Sequence, residues 1–263
     1  MTTLENATAV LKLFNQSGVS QGQPGLTFTD IAQTLGLPKS TVSRLLSTME
    51  SEGLLERDPD TRCFHVGHML LTLASNYLST PLVDGASSMM ARLAAESSCT
   101  GYISVLEGRE IMVMRMFQGR MFIQVVTPPG SRLPAAETSV GRAILSRYSD
   151  DFVRQLYAGA WQVNSPNSPQ TLEHLLAELA LIRQQGWAMA RNETLQGISA
   201  VSTTITNKHR GETVALCLSF PSQHQASPCP SSALDALQIV TRQLAGKYGD
   251  RAWLGGNITS AVQ

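Results

Sequence analysis

The sequence predicts an α+β protein in two parts. One is a small N-terminal winged helix-turn-helix domain. The other is a larger C-terminal α/β domain on a mostly antiparallel sheet, and a linker helix joins the two. Three observations predict this. Residues 27–62 carry helix-cap, turn and hairpin signals in winged-helix order. Beyond residue 100 the apolar period changes from helical to alternating over strand lengths. Pro-, Gly- and Ser-rich stretches fall where the patterns change. The expected boundaries are 1–67 for the head, 68–80 for the linker helix, 81–250 for the second domain and 251–263 for a tail.

In chain order, Leu4, Ala7, Val10, Leu11 and Phe14 mark a first amphipathic helix, and residues 16–25 form a loop by composition. Thr27 with Asp30 is a capping-box pair opening a short helix through Ile31, Ala32 and Leu35. Gly36 supplies the positive φ of a tight turn, and Pro38 is tolerated in the first turn of the next helix. There Val42, Leu45, Leu46 and Met49 fall at i, i+3, i+4 and i+7, one apolar face. The other face carries Lys39, Ser40, Ser43, Arg44 and Ser47, side chains able to donate to phosphates or base edges, and Lys39, Ser40, Thr41, Ser43 and Arg44 are the expected DNA contacts. A small residue, a turn glycine and a branched apolar residue at these spacings allow the close crossing of a DNA-binding helix pair. Two short strands around Asp58-Pro59-Asp60-Thr61 then make a hairpin wing, with Arg57 and Arg62 flanking its tip.

The run 68–79 reads as a helix broken by Thr80-Pro81, and 82–97 as another. Strands follow at 102–106, 111–117 and 121–126; alternation places Met112, Met114 and Met116 on one face, with Val113, Arg115 and Phe117 on the other. A Pro/Gly loop spans 127–134. Helices are expected at 138–148, 150–157 and 171–185, strands at 187–191, 198–206 and 214–220, a Pro/Ser-rich loop at 222–232 and a last helix at 231–248.

Length, 263 residues, suits two modest domains, and a net charge of zero excludes a polyelectrolyte. Residues 1–80 are not basic: Lys12, Lys39, Arg44, Arg57 and Arg62 face Glu5, Asp30, Glu50, Glu52, Glu56, Asp58 and Asp60. A nucleic-acid reader with this balance must gather its cations on one surface. Nothing approaches the roughly 18 apolar residues of a membrane span, and no signal peptide opens the chain. Four scattered cysteines without C-x-x-C fit a reduced, cytoplasmic setting. No G-x-S-x-G elbow, H-E-x-x-H, P-loop or G-x-G-x-x-G is present, so no catalytic residue and no cofactor are expected. Cys63, His65 and His68 have metal-binding side chains but no fourth partner, and no metal site is expected. Arg142 reads as an exposed helix residue, and Cys217 as an inert strand thiol.

The run Leu35 to Leu46 with Met49 to Leu54 resembles the winged-helix domain of the IclR family of bacterial transcriptional regulators. The resemblance continues through Gly130 to Pro134, Ser139 to Ala143, Ile182-Arg183 with Gly186 to Ala188, and Glu193 with Gly197-Ile198, and covers roughly residues 4–250. It implies an effector-binding second domain whose pocket lies between the sheet and a helix N-terminus, with free amides at 138–141 attracting an anion. The matching lining is Phe122, Val125, Leu133, Ser139, Val140, Gly141, Ala190, Ile198, Ala200, Cys217 and Ser219. Ala190 and Ala200 replace polar residues found in several members, which favours an aromatic or medium-sized apolar effector, or an organic acid, over a very small oxo-acid. The implied partners are double-stranded operator DNA, this effector, and further copies of the chain as a dimer or dimer of dimers. The expected function is a ligand-responsive repressor of a catabolic operon; the alternative is an enzyme, or an enzyme-derived sensor, with catalysis in the C-terminal domain and the winged helix used as an interaction module.

Overall fold

The computed structural model describes residues 2–16, 25–120, 127–222 and 229–254. The expected strand at 121–126, with Phe122 and Val125, lies outside them, as do most of the 16–25 and 222–232 loops and most of the tail. The chain divides into two compact units between Ser79 and Thr80, at the end of the expected linker helix.

The first unit runs α1 (Thr3–Gln16), α2 (Phe28–Leu35), α3 (Lys39–Ser51), β1 (Leu55–Arg57), β2 (Phe64–Val66) and α4 (His68–Leu78). At the start of α2 the Asp30 amide donates to Thr27 Oγ1, and the Thr27 amide donates back to Asp30 Oδ2, closing the box. Gly36, at φ +63°, turns the chain, and its amide donates to the Ala32 carbonyl. Pro38 is the residue before α3 rather than within its first turn. The apolar faces of the three helices meet in one core of Val10, Phe14, Ile31, Val42, Leu46 and Met49, closed by Leu55 and Phe64 of the wing. At Gly67, between wing and α4, a Cβ would lie 2.1 Å from the Gly53 carbonyl oxygen, so only glycine fits.

The second unit is built on a six-stranded sheet of order β5-β4-β3-β8-β7-β6, antiparallel at every described pairing. Its strands are β3 (Thr100–Glu107), β4 (Glu110–Phe117), β5 (Arg132–Pro134), β6 (Ala188–Arg191), β7 (Ile198–Asn207) and β8 (Glu212–Pro221). Helices α5 (Pro81–Ser97) and α9 (Cys229–Tyr248) pack together on the sheet. On the other face lie α6 (Ser139–Leu145) and α8 (Leu172–Gln185), with α7 (Asp150–Tyr157) against α8. A short α10 (Arg251–Leu254) follows.

Two sequence expectations change. Residues 132–134 are not loop but an edge strand pairing with β4. The methionines do not form one stripe, because the β3–β4 register slips between Ile103 and Ser104. Tyr102 opposes Met116 but Ser104 opposes Val113, so the extra β4 residue reverses the alternation. Met116 thus joins the core of Ile111 and Val113, and Arg115 pairs instead with Asp84 of α5.

Candidate nucleic-acid interface and effector cavity

In α3 the apolar row is buried, while Lys39, Ser40, Thr41, Ser43 and Arg44 are all exposed. Among the described residues neither Lys39 nor Arg44 pairs with a carboxylate. The start of the helix is also open. Pro38 has no side chain able to cap it, and the Lys39 and Ser40 amides find no acceptor among the described residues. At α2, by contrast, the Thr27 hydroxyl accepts from the Asp30 amide and the Asp30 carboxylate from the Thr27 amide. Several acids that make the head's composition unpromising serve the backbone in the same way. Glu5 accepts from the Thr2 amide, Asp30 completes the α2 box, Glu56 Oε1 accepts from the His68 amide and also meets His68 Nδ1, and Asp58 Oδ1 accepts from the Asp60 and Thr61 amides at the wing tip. Arg62, at φ +61°, is exposed. Arg57 folds back instead: its Nε donates to the Arg62 carbonyl, and its guanidinium stands 5.1 Å from the Phe64 ring centre. Cys63 is buried, and with His68 held by Glu56 the two do not converge on a metal.

The second unit contains a cavity of about 110 Å³ under α6. Antiparallel register puts its sheet wall on one face: Ile111 and Val113 of β4, Tyr102 and Ser104 of β3, Cys217 and Ser219 of β8, Ile198 and Ala200 of β7, and Ala190 of β6. Leu133, Ser139 and Val140 close it with Thr127, Thr138 and the loop residues Glu193 to Leu195. Leu133, Ser139, Val140, Ala190, Ile198, Ala200, Cys217 and Ser219 therefore lie together. Gly141 does not line it. Its Cβ position would lie 2.1 Å from the Ala135 carbonyl oxygen, and its amide donates to Thr138 Oγ1. The open helix start thus shrinks to the Ser139 and Val140 amides, on a helix of only seven residues.

Tyr102, Ser104, Thr127, Glu193 and Thr194 were not among the expected lining. The alternation of Tyr102 and Ser104 with Ile103 and Val105 carries a signal for the first two. Ser104 is buried, and its hydroxyl has no partner among the described residues. Burial raises the Tyr102 phenol above its ordinary value, with hydrogen bonds to Thr127 and Ser219 acting the other way. Burial likewise pushes the Cys217 thiol up to about 11, against hydrogen bonds to Ser202 and Ser139, so it is a neutral wall and no nucleophile near neutral pH. The Ser139 and Ser202 hydroxyls lie 2.8 Å apart.

Arg142 is a correction: it is among the most buried side chains in the chain, 1% exposed. Its Nη1 and Nη2 donate to Glu193 Oε2 and Oε1 at 2.6 and 2.8 Å, and to the Ala136 and Met189 carbonyls. Nε lies 3.1 Å from Glu178 Oε2, without hydrogen-bond alignment. The reason is tertiary. Asn192 at φ +54° and Gly197 at φ +80° fold the β6–β7 loop back over α6, delivering Glu193 to the guanidinium. Glu193 is thereby neutralised, and the cavity presents hydroxyls on an apolar wall. No histidine, lysine or arginine lines it among the described residues.

The profile of the IclR helix-turn-helix domain matches residues 3–59, and that of the bacterial transcriptional regulator IclR C-terminal domain matches residues 75–244. The HTH-type transcriptional regulator XynR of Escherichia coli strain K12 is 26% identical over 82% of this chain and 85% of its own. The acetate operon repressor of Salmonella typhimurium strain LT2 is 28% identical over 83% and 80%. Among solved structures, the Thermotoga maritima IclR superposes with TM-score 0.78 at 20% identity, over 94% of this chain and 98% of that one. An IclR homologue from Microbacterium hydrocarbonoxydans, complexed with 4-hydroxybenzoate, gives 0.74 at 21%, over 93% and 100%. Among the described residues no helix is long and apolar enough to cross a membrane.

Proposed function

The chain belongs to the IclR family of bacterial transcriptional regulators, and from that premise we propose that it represses a catabolic operon by binding a pseudo-palindromic operator in the cytoplasm. The observation that carries this is the outward face of α3, where Lys39, Ser40, Thr41, Ser43 and Arg44 are exposed beside an uncapped helix start. Lys39 and Arg44 take phosphate or guanine contacts, and the hydroxyls reach base edges or backbone. Arg62 reaches the backbone or minor groove from the wing; Arg57 does so with the N–H groups its bond to Arg62 leaves over. The working unit is a dimer or dimer of dimers, each dimer spanning half-sites about one turn apart or a multiple of it. Met69, Leu71, Leu73 and Tyr77, exposed along α4, support dimer contacts there, with 68–80 acting as linker between a head of 1–67 and an effector domain of 81–250.

The effector is a single-ring aromatic acid or phenol. A cavity near 110 Å³ has the scale of the engineered apolar cavities, about 150 Å³, that take up benzene. The unpartnered Ser104 hydroxyl, Tyr102 and Thr127 offer polar contacts against Ile111, Val113 and Leu133. The 4-hydroxybenzoate complex of the Microbacterium relative is consistent with that size class. Effector binding biases the placement of the DNA heads, and DNA must alter effector affinity by the same factor. Two measurements test the proposal. A gel shift with the gene's own upstream DNA at low salt is expected to show binding that Arg44→Ala weakens, with the free protein's effector affinity unchanged. Calorimetry is expected to give tighter binding of hydroxybenzoates than of glyoxylate or pyruvate. No shift, or tighter binding of the small oxo-acids, would overturn the corresponding part.

A further inference from the structure

Beside the proposed recognition surface the first unit has a cleft of about 340 Å³. From α3 it is lined by Ser40, Thr41, Arg44 and Thr48, and from α1 by Thr3 and Asn6, over a floor of Leu45. Spacing explains the pairing. Ser40, Arg44 and Thr48 recur every four residues along one ridge of α3, and Thr3 and Asn6 lie three apart on α1, so two polar rows face each other. The chemistry is one-sided. In a head with more acids than bases, the lining holds a guanidinium, four hydroxyls and a carboxamide, and no carboxylate. Asn6 is only 8% exposed, and its amide oxygen finds no donor among the described residues. Leaving a buried carboxamide end unpaired is costly, so a group absent from the free protein is its natural partner. A half-turn about the Cβ–Cγ bond exchanges the amide's acceptor for its donor end, so the site can present an N–H to an anion.

We propose that this cleft seats a phosphodiester of the DNA backbone. Arg44 supplies the charge, and Ser40, Thr41 and Thr3 supply O–H donors. Asn6 is the buried N–H that fixes how deep the phosphate sits. The inference rests on α3 facing the duplex and deepens that reading: α1, not only α3 and the wing, sets the register of the head on the backbone.

The test uses the full-length protein and a duplex from its own upstream DNA, with single phosphates replaced by neutral methylphosphonates. Asn6→Leu removes the unpaired amide and is expected to keep or raise the melting temperature while weakening operator binding about tenfold, the scale of one hydrogen bond to a charged group. Asn6→Asp places a carboxylate in the cleft and is expected to weaken binding further. One methylphosphonate position per half-site should be costly to the wild type and nearly silent in Asn6→Leu. If both variants bind as tightly as the wild type, or the phosphate and Asn6 losses simply add, the phosphate seat is wrong while α3 recognition stands. If the wild type itself fails to bind at low salt, the wider DNA-binding reading has failed instead.

Discussion

Arg142 shows most directly how one residue shapes the second unit. With both sides of its pair to Glu193 buried, removing one partner leaves the other charge stranded, at a cost of about 3–5 kcal/mol. Arg142→Ala is expected to lower the C-terminal unit's unfolding free energy by that amount in a denaturant titration. Effector affinity should fall with it, because Glu193, Thr194 and Leu195 would no longer be held over the cavity. A drop of under about 1 kcal/mol, typical of exposed pairs, would contradict the buried clamp. Asp58 makes a prediction at the wing tip. Hydrogen bonds from the Thr61 amide, then its hydroxyl, hold the Asp58 carboxyl below its ordinary 3.8. Because the folded value is the lower one, the contribution is complete above 3.8 and disappears as pH falls through the folded value. Asp58→Asn should therefore melt below wild type at neutral pH, with the gap narrowing as the pH falls below 3.8. A pH-independent gap would assign the effect to packing rather than ionisation.

At the scale of elements, α4 leaves Leu71, Leu73 and Tyr77 more than half exposed, a large apolar surface for one helix to show to solvent. Replacing Leu71 and Leu73 with Ser should shift sedimentation toward monomer without lowering the melting temperature; an unchanged oligomer would exclude α4 from the interface. The elements also show what was legible beforehand. Thr27, Asp30, Gly36 and the Val42–Met49 row announced α2, its turn and α3 because cap, positive φ and helical period are local properties of the chain. The β4 bulge was not legible. One residue unmatched by its partner strand is a property of pairing, and simple alternation assigned Met116 to the wrong face. The β5 edge strand is short and proline-bounded, so its ladder with β4 outweighs a loop-like composition. The cavity was partly readable. Leu133, Ser139, Ala190 and Cys217 came through family resemblance, and Glu193 was noted only as a motif. Its pairing with Arg142 depends on a loop closing across 51 residues of sequence.

For the molecule as a whole, zero net charge and an acid-rich head argue against a nucleic-acid reader if charge is merely counted. Placement reverses that conclusion. Glu5, Asp30, Glu56 and Asp58 turn toward backbone amides or His68, while Lys39 and Arg44 remain exposed without a carboxylate partner among the described residues. The outward flank of α3 is thereby free to meet duplex DNA, and everything proposed for the head depends on its doing so. The most direct measurement is fluorescence anisotropy of a labelled upstream duplex over a series of salt concentrations, comparing wild type with Lys39→Ala/Arg44→Ala. Wild-type binding is expected to weaken steeply with salt. The variant is expected to bind more weakly, with a log–log slope shallower by about one for each phosphate it no longer neutralises. A folded variant with the same affinity and slope as wild type would contradict DNA recognition by α3.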